Sequence, residues 1–276
     1  MDVALASILK ISTMNYKLAI LILFSSSLIW SQETVMVEYE FYQNGVRNRS
    51  NLIFNKEESS FTVLRDSMNF DKKHKVLEES EDYTRTAILS GREVLRKIYK
   101  HQDSDKYLIY SPKFKDKQEI KMYDTPPAIE WNIIKKDVKT ILGYDCFRAE
   151  GEFRGTNLIA YFTPSIEVNI GPEKFSGLPG LILEIYEKGT TNLNSIKAHK
   201  IILHANASIE RQELDDSYVD FQSYTIKFLE DTRKKIKNMH QKAMTSMPRG
   251  VRVELKEIER KGFEKVYEWE EEEKEN

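Results

Sequence analysis

Val35-Met-Val-Glu-Tyr-Glu-Phe41 alternates apolar and polar residues, and Asn44-Gly45 stands just behind it. No other feature constrains the fold of this chain as tightly. A period of two places every second side chain on one face of a strand. Asn-Gly is the strongest short signal for turning such a strand back on itself. The pattern recurs at residues 51–54, 60–64, 94–99, 106–110 and 118–123. Asp124-Thr-Pro-Pro127 interrupts the series, because two consecutive prolines cannot join a central ladder. Beyond it Ile129, Trp131 and Ile133 share one face. Residues 138–142, a turn near Gly143, and residues 144–149 form a second hairpin. Residues 157–163, 181–186 and 197–204 complete the set. Many short strands with turn signals predict an antiparallel sheet.

One helix is predicted. Phe221, Tyr224, Phe228, Ile236 and Met239 fall near one face at helical spacing. Ser217 with Asp220 has the form of a capping box. Asp220, Glu230 and Asp231 precede Lys234, Lys235, Lys237 and Lys242, an order that suits the helix dipole. Met247-Pro-Arg-Gly250 ends the helix. The expected fold is therefore mainly β with minor α: a curved antiparallel sheet or partly open barrel, covered by a long helix in the C-terminal half, its aromatic stripe docked on the sheet. Residues 66–82 read as a charged, solvated loop. Residues 251–269 fit strand and helix equally, and residues 270–276 read as a solvated acidic tail. Residues 32–269 form one domain.

The first 31 residues stand apart. Lys17 precedes the apolar run Leu18-Ala-Ile-Leu-Ile-Leu-Phe24, and small residues lead to a cut before Gln32. This is the form of a secretory signal peptide, with Met14 as its natural start. The run is too short to span a bilayer comfortably, and no later stretch is apolar enough to do so. The expectation is an exported protein, periplasmic, outer-membrane-associated or secreted.

Charge and cysteine content exclude other classes. The chain carries 42 basic and 44 acidic residues for a net charge of −2, without the basic surplus that nucleic-acid binding requires. Cys146 is the only cysteine, so neither an intrachain disulfide nor a cysteine-rich zinc site can form. It reads as a small buried hydrophobe on a strand. His199 and His204 point to opposite faces of a strand and do not share a metal. No metal or cofactor is expected.

The glycines and prolines crowd into one place: Gly171, Pro172, Gly177, Pro179 and Gly180, followed at once by Leu181-Ile-Leu183. Leu178-Pro179-Gly180-Leu181 fits a type II turn feeding a central strand that carries Leu181, Leu183 and Ile185. Gly177-Leu178-Pro179-Gly180-Leu181-Ile182 resembles the hexapeptide that names the GLPGLI family of exported proteins from Bacteroidetes-type bacteria. The flanks resemble that family too: Gly143-Tyr-Asp-Cys146, Tyr161-Phe-Thr163 and Gly171-Pro172, with Tyr161 standing where tryptophan is expected. The resemblance covers residues 129–186. It implies a signal-bearing envelope or secreted protein and brings no catalytic residue with it.

The remaining candidates are few. Glu184 is one carboxylate inside an apolar run, and a buried carboxylate needs a partner. Arg148 and Arg154 are the expected partners. Its alternative role is a general acid of raised pKa. Lys174 is the one basic residue beside the glycine cluster, placed to assist an anion-binding nest. Ser176 lacks the glycines of a nucleophile elbow, since Lys174 and Leu178 stand in their places. Two functional readings result. The first is a non-enzymatic binding or carrier module that uses the concave face of the sheet for an envelope protein, peptide or lipid. The second is a hydrolase using a carboxylate or Ser176 near the hexapeptide.

Overall fold

The computed structural model describes residues 34–65, 94–112, 118–190, 193–246 and 260–270. Residues 1–31, expected to be a signal peptide, the charged stretch 66–82 and the expected helix stop at 247–250 lie outside them. Within them the chain is mainly β, with twelve strands in a single sheet and one long helix in the C-terminal half. The strands are β1 (Val35–Gln43), β2 (Val46–Phe54), β3 (Glu58–Arg65), β4 (Val94–His101), β5 (Tyr107–Ser111) and β6 (Ile120–Asp124). After the proline break come β7 (Asn132–Ile141), β8 (Tyr144–Phe153), β9 (Thr156–Thr163), β10 (Leu181–Glu187), β11 (Ser195–Ile202) and the short β12 (Val219–Asp220). The helix α1 spans Phe221–Ser246.

The order β12-β6-β5-β4-β3-β2-β1-β11-β10-β9-β8-β7 describes two meanders joined where β1 pairs with β11. Every ladder is antiparallel except β12 on β6. The sheet stays open at its two edge strands, β12 and β7. It nevertheless curls strongly, because the end of β6 and the β8–β9 turn, far apart in strand order, are joined by direct ion pairs. The inside of that curl is the core, where Val37, Tyr39, Phe41, Phe61, Leu158, Phe162, Ile185 and Ile196 are all buried.

The loop from Pro164 to Gly180 fills part of the curl. Its punctuation works differently from a type II turn. The Gly180 N–H donates to the Leu178 carbonyl at 2.8 Å, a three-residue turn about Pro179. The Leu181 N–H, which a type II turn would aim at Leu178, donates instead to Ile166 at 3.2 Å. Gly180 does have a positive φ, 154°, and an added Cβ there would lie 2.2 Å from the Thr163 carbonyl oxygen. A bulge between Ile182 and Glu184 then alters the alternation of β10. Ile182 and Ile185 face Phe162 and Ala160 on the core side, while Leu183 is the extra residue, also buried. The Ile182 carbonyl accepts from the Tyr39 hydroxyl at 2.8 Å.

The helix departs from expectation in two ways. Its cap is Asp220, whose Oδ2 accepts from both the N–H and the hydroxyl of Ser223 at 2.9 Å. Ser217 turns back to Asp215 instead, its N–H 2.8 Å from Oδ1. The apolar stripe also divides. Phe221 and Tyr224 pack against the core, but Phe228 and Met239 are each 56% exposed. Beyond its first turns α1 does not dock on the sheet. Among the described residues it is the 164–180 loop and residues 260–270 that pack into the concave face, not the rest of the stripe.

Candidate functional site

The site begins at a hairpin turn. Arg154 and Gly155, at φ 46° and 72°, join β8 to β9, and a two-residue turn of this hand requires positive φ at both positions. Glycine adopts it freely; arginine does so at a cost in steric energy. Gly155 is also a point of close approach, since an added Cβ would lie 2.8 Å from Cγ2 of Val266. That contact brings in residues 260–270, whose Lys265 and Val266 N–H groups donate to the Arg154 carbonyl at 2.8 and 2.9 Å.

The Arg154 side chain turns inward and is 1% exposed. Its two terminal nitrogens grip Asp124 at the end of β6, at 2.8 and 2.9 Å, the fork geometry that makes arginine–carboxylate pairs strong. Its guanidinium also reaches Glu264 at 3.1 Å and Glu268 at 2.9 Å. Lys174, delivered by the glycine-proline loop, donates to Asp124 at 2.6 Å and pairs with Glu264. Aromatic rings surround these charges. Phe153, Phe221, Tyr267 and Trp269 lie 5.2 to 5.8 Å from the Arg154 guanidinium, and Lys174 sits 4.5 Å above Phe221.

Burial opposes ionisation of Asp124, but the charge of Lys174 and the hydrogen bonds and charge of Arg154 outweigh it and hold the carboxyl below its usual range. Desolvation likewise works against the Arg154 cation, and its carboxylate partners raise its pKa despite it. Both Asp124 oxygens are thus occupied by cationic donors. A carboxylate held ionised in this way is a poor proton donor. The cluster is a clamp that ties β6, the β8–β9 turn, the 164–180 loop and residues 260–270 together.

Beside the clamp lies a cavity of about 260 Å³. Phe41, Ile98, Ile109, Met122, Phe153, Phe175 and Phe263 supply its apolar walls, and Gln43, Arg96, Ser111, Glu173, Lys174, Lys261 and Glu264 its polar ones. It lies between the concave face of the sheet and the two segments packed into the curl. Its wall is mixed, with apolar side chains interleaved with charged and polar ones, and a concavity that combines the two can take a small ligand.

The other candidates disperse. Glu184 pairs with neither Arg148 nor Arg154 but with Lys139 of β7, on the outer face of the sheet. The β10 bulge aims it outward, where Tyr161 is its cross-strand neighbour. Arg148 serves Asp137 at 3.0 Å and Glu150. The Ser176 hydroxyl lies 3.1 Å from the Tyr107 hydroxyl, and its carbonyl accepts from the Trp131 indole at 2.8 Å. Among the described residues no histidine or carboxylate hydrogen-bonds that hydroxyl. The Gly177 N–H is taken by Asn169, so it is not available to an anion. Cys146 is buried, with its thiol pushed up to about 11 by burial. His199 pairs with Glu38 at 3.2 Å. Among the described residues no group of three potential ligands could hold a metal ion, and no helix is long and apolar enough to cross a membrane.

Sequence reasoning passed over Asp124, which was legible only as part of a proline break, and gave no role to Arg96 or Lys261. One signal was available for Arg154: an arginine directly before glycine in a tight hairpin is an unusual choice that some tertiary partner has to justify.

A family model described as a protein of unknown function (Porph_ging) matches residues 150–184. The match takes in Arg154 and Lys174 of the clamp, and the hexapeptide. No curated protein matches the sequence. Two solved structures of PNGF-II, in C2 and P21 space groups, are similar, each at 14% identity over 70% of this chain, with TM-scores of 0.44 and 0.45. The aligned part is 32% and 33% of those chains, so this chain spans about a third of their length.

Proposed function

We propose that this chain is an exported, non-enzymatic binding module of the GLPGLI type, which holds a small apolar ligand in the cavity on the concave face of its sheet. The observation that carries the reading is the 260 Å³ cavity itself, whose lining includes Ile109, Met122, Phe175 and Phe263. Each methylene transferred from water into such a space contributes about 0.8 kcal/mol. The match at residues 150–184, which contains the hexapeptide, supports the family part of the reading. The apolar run after Lys17 supports export.

A neutral fluorescent probe tests the binding role. N-phenyl-1-naphthylamine should bind the mature protein saturably at one site. Ile109→Trp, which fills the cavity, should abolish that binding while the protein still melts cooperatively. A probe signal that is unsaturable, or unchanged in Ile109→Trp, counts against the cavity. For export, N-terminal sequencing of protein from the native host should find a start near Gln32, and an intact N-terminus on the soluble protein counts against it.

A further inference from the structure

The walls of the cavity differ in how far their charges are already committed, and this restricts the ligand. Both carboxylates in the wall are taken. Glu173 pairs with Arg96, and Glu264 accepts from Arg154 at 3.1 Å and pairs with Lys174. Two of the three wall cations are taken by the same contacts. The third, Lys261, is exposed and has no ion-pair partner among the described residues. It stands next to Gly262, where an added Cβ would lie 3.5 Å from Nε2 of Gln43. Lys261 and Gln43 both line the cavity, and the residue after Lys261 lies against the Gln43 amide.

A cationic ligand would find no carboxylate free to receive it. It would have to displace Arg96 or the buried Lys174 from its carboxylate, leaving that charge unpaired. A neutral ligand would leave Lys261 idle. An anionic group meets Lys261 directly, with the Gln43 amide as a second donor. We infer that the ligand of this cavity carries one anionic group on an apolar body, with Lys261 receiving the charge and Ile98, Ile109 and Met122 receiving the body. This inference rests on the cavity reading above and deepens it. The chemistry is that of a single-chain amphiphilic anion.

The test uses three ten-carbon probes below their micellar concentrations: decanoate, 1-decanol and decyltrimethylammonium, titrated calorimetrically into the mature protein at low salt. Decanoate should bind about fivefold more tightly than decanol, the gain available to one partly exposed ion pair, and the ammonium probe should bind weakest. Lys261→Glu should erase the decanoate advantage over decanol and leave the melting temperature unchanged. Added salt should shrink the advantage in wild type. Equal binding of decanoate and decanol overturns the inference while leaving the cavity reading intact. So does an advantage that survives Lys261→Glu, or a preference for the ammonium probe. If none of the three binds, the cavity reading falls as well.

Discussion

Arg148 and Arg154 lie on one hairpin and carry the same charge, yet they live in different media. Arg154 is 1% exposed and serves three carboxylates among four aromatic rings. Arg148 is 25% exposed and serves Asp137 and Glu150 on the outer face. In water an ion pair competes with strong hydration and is worth little. Inside the protein the hydration is gone, and removing one partner strands the others as unpaired buried charges. The two arginines therefore differ less in what they touch than in what their loss leaves behind.

The largest effect is expected not at a charge but at Gly180, because the loop it ends is the one that carries Lys174 to Asp124. Gly180→Val places a branched side chain against the Thr163 backbone, where even a bare Cβ would come within 2.2 Å of the carbonyl oxygen. Loss of at least about 4 kcal/mol is expected in urea denaturation. Near-wild-type stability would show that the loop can shift freely, and the clamp with it.

Arg154→Met comes next, at about 3–5 kcal/mol, since it leaves Asp124 and Glu264 to share Lys174 and leaves Glu268 without its partner. A loss under about 1 kcal/mol would make it the equal of a surface arginine and remove the contrast. The acid limb sharpens the same point. The Asp124 carboxyl is held below its unfolded value, so its contribution is present above the unfolded range, about pH 3.9, and is lost as pH falls through the lower folded value. The stability gap between wild type and Asp124→Asn should therefore be constant near neutrality and narrow in strong acid. A gap that widens as pH falls would mean that the carboxyl is raised, not lowered.

On the outer face, Arg148→Met and Glu184→Gln should each cost no more than about 1 kcal/mol. A loss near that of Arg154→Met would mean that this face is covered, and dependence of the loss on protein concentration would identify a second copy as the cover. The smallest effect is expected for Phe228→Ala, within about 0.5 kcal/mol, because the ring is 56% exposed. A loss of 3 kcal/mol or more, as for a buried phenylalanine, would place that part of α1 in an interface.

Much of the sheet was legible because period-two alternation and turn residues are local signals. The runs at residues 35–41, 94–99 and 157–163 each became a strand, and Asn44-Gly45 a hairpin turn at φ 54° and 76°. The partners of Glu184 were not legible. Choosing between Arg148, Arg154 and Lys139 depends on the face onto which the β10 bulge turns the carboxylate, and a bulge of one residue leaves no mark in the alternation of so apolar a run. The helix stripe failed for a related reason. Helical spacing shows which residues share a face, but not what packs opposite them.

By itself the sequence determined a mainly β chain with its turns, one long helix and a buried lone cysteine, because each of these follows from propensities that act over a few residues. The tertiary structure alone decided that Asp124, Arg154, Lys174 and Glu264 meet. They come from four segments between 20 and 140 residues apart, and their meeting depends on how far a twelve-stranded sheet curls. That curl is set by twist accumulated over every ladder and by the bulk packed inside it, and no short stretch of sequence records either.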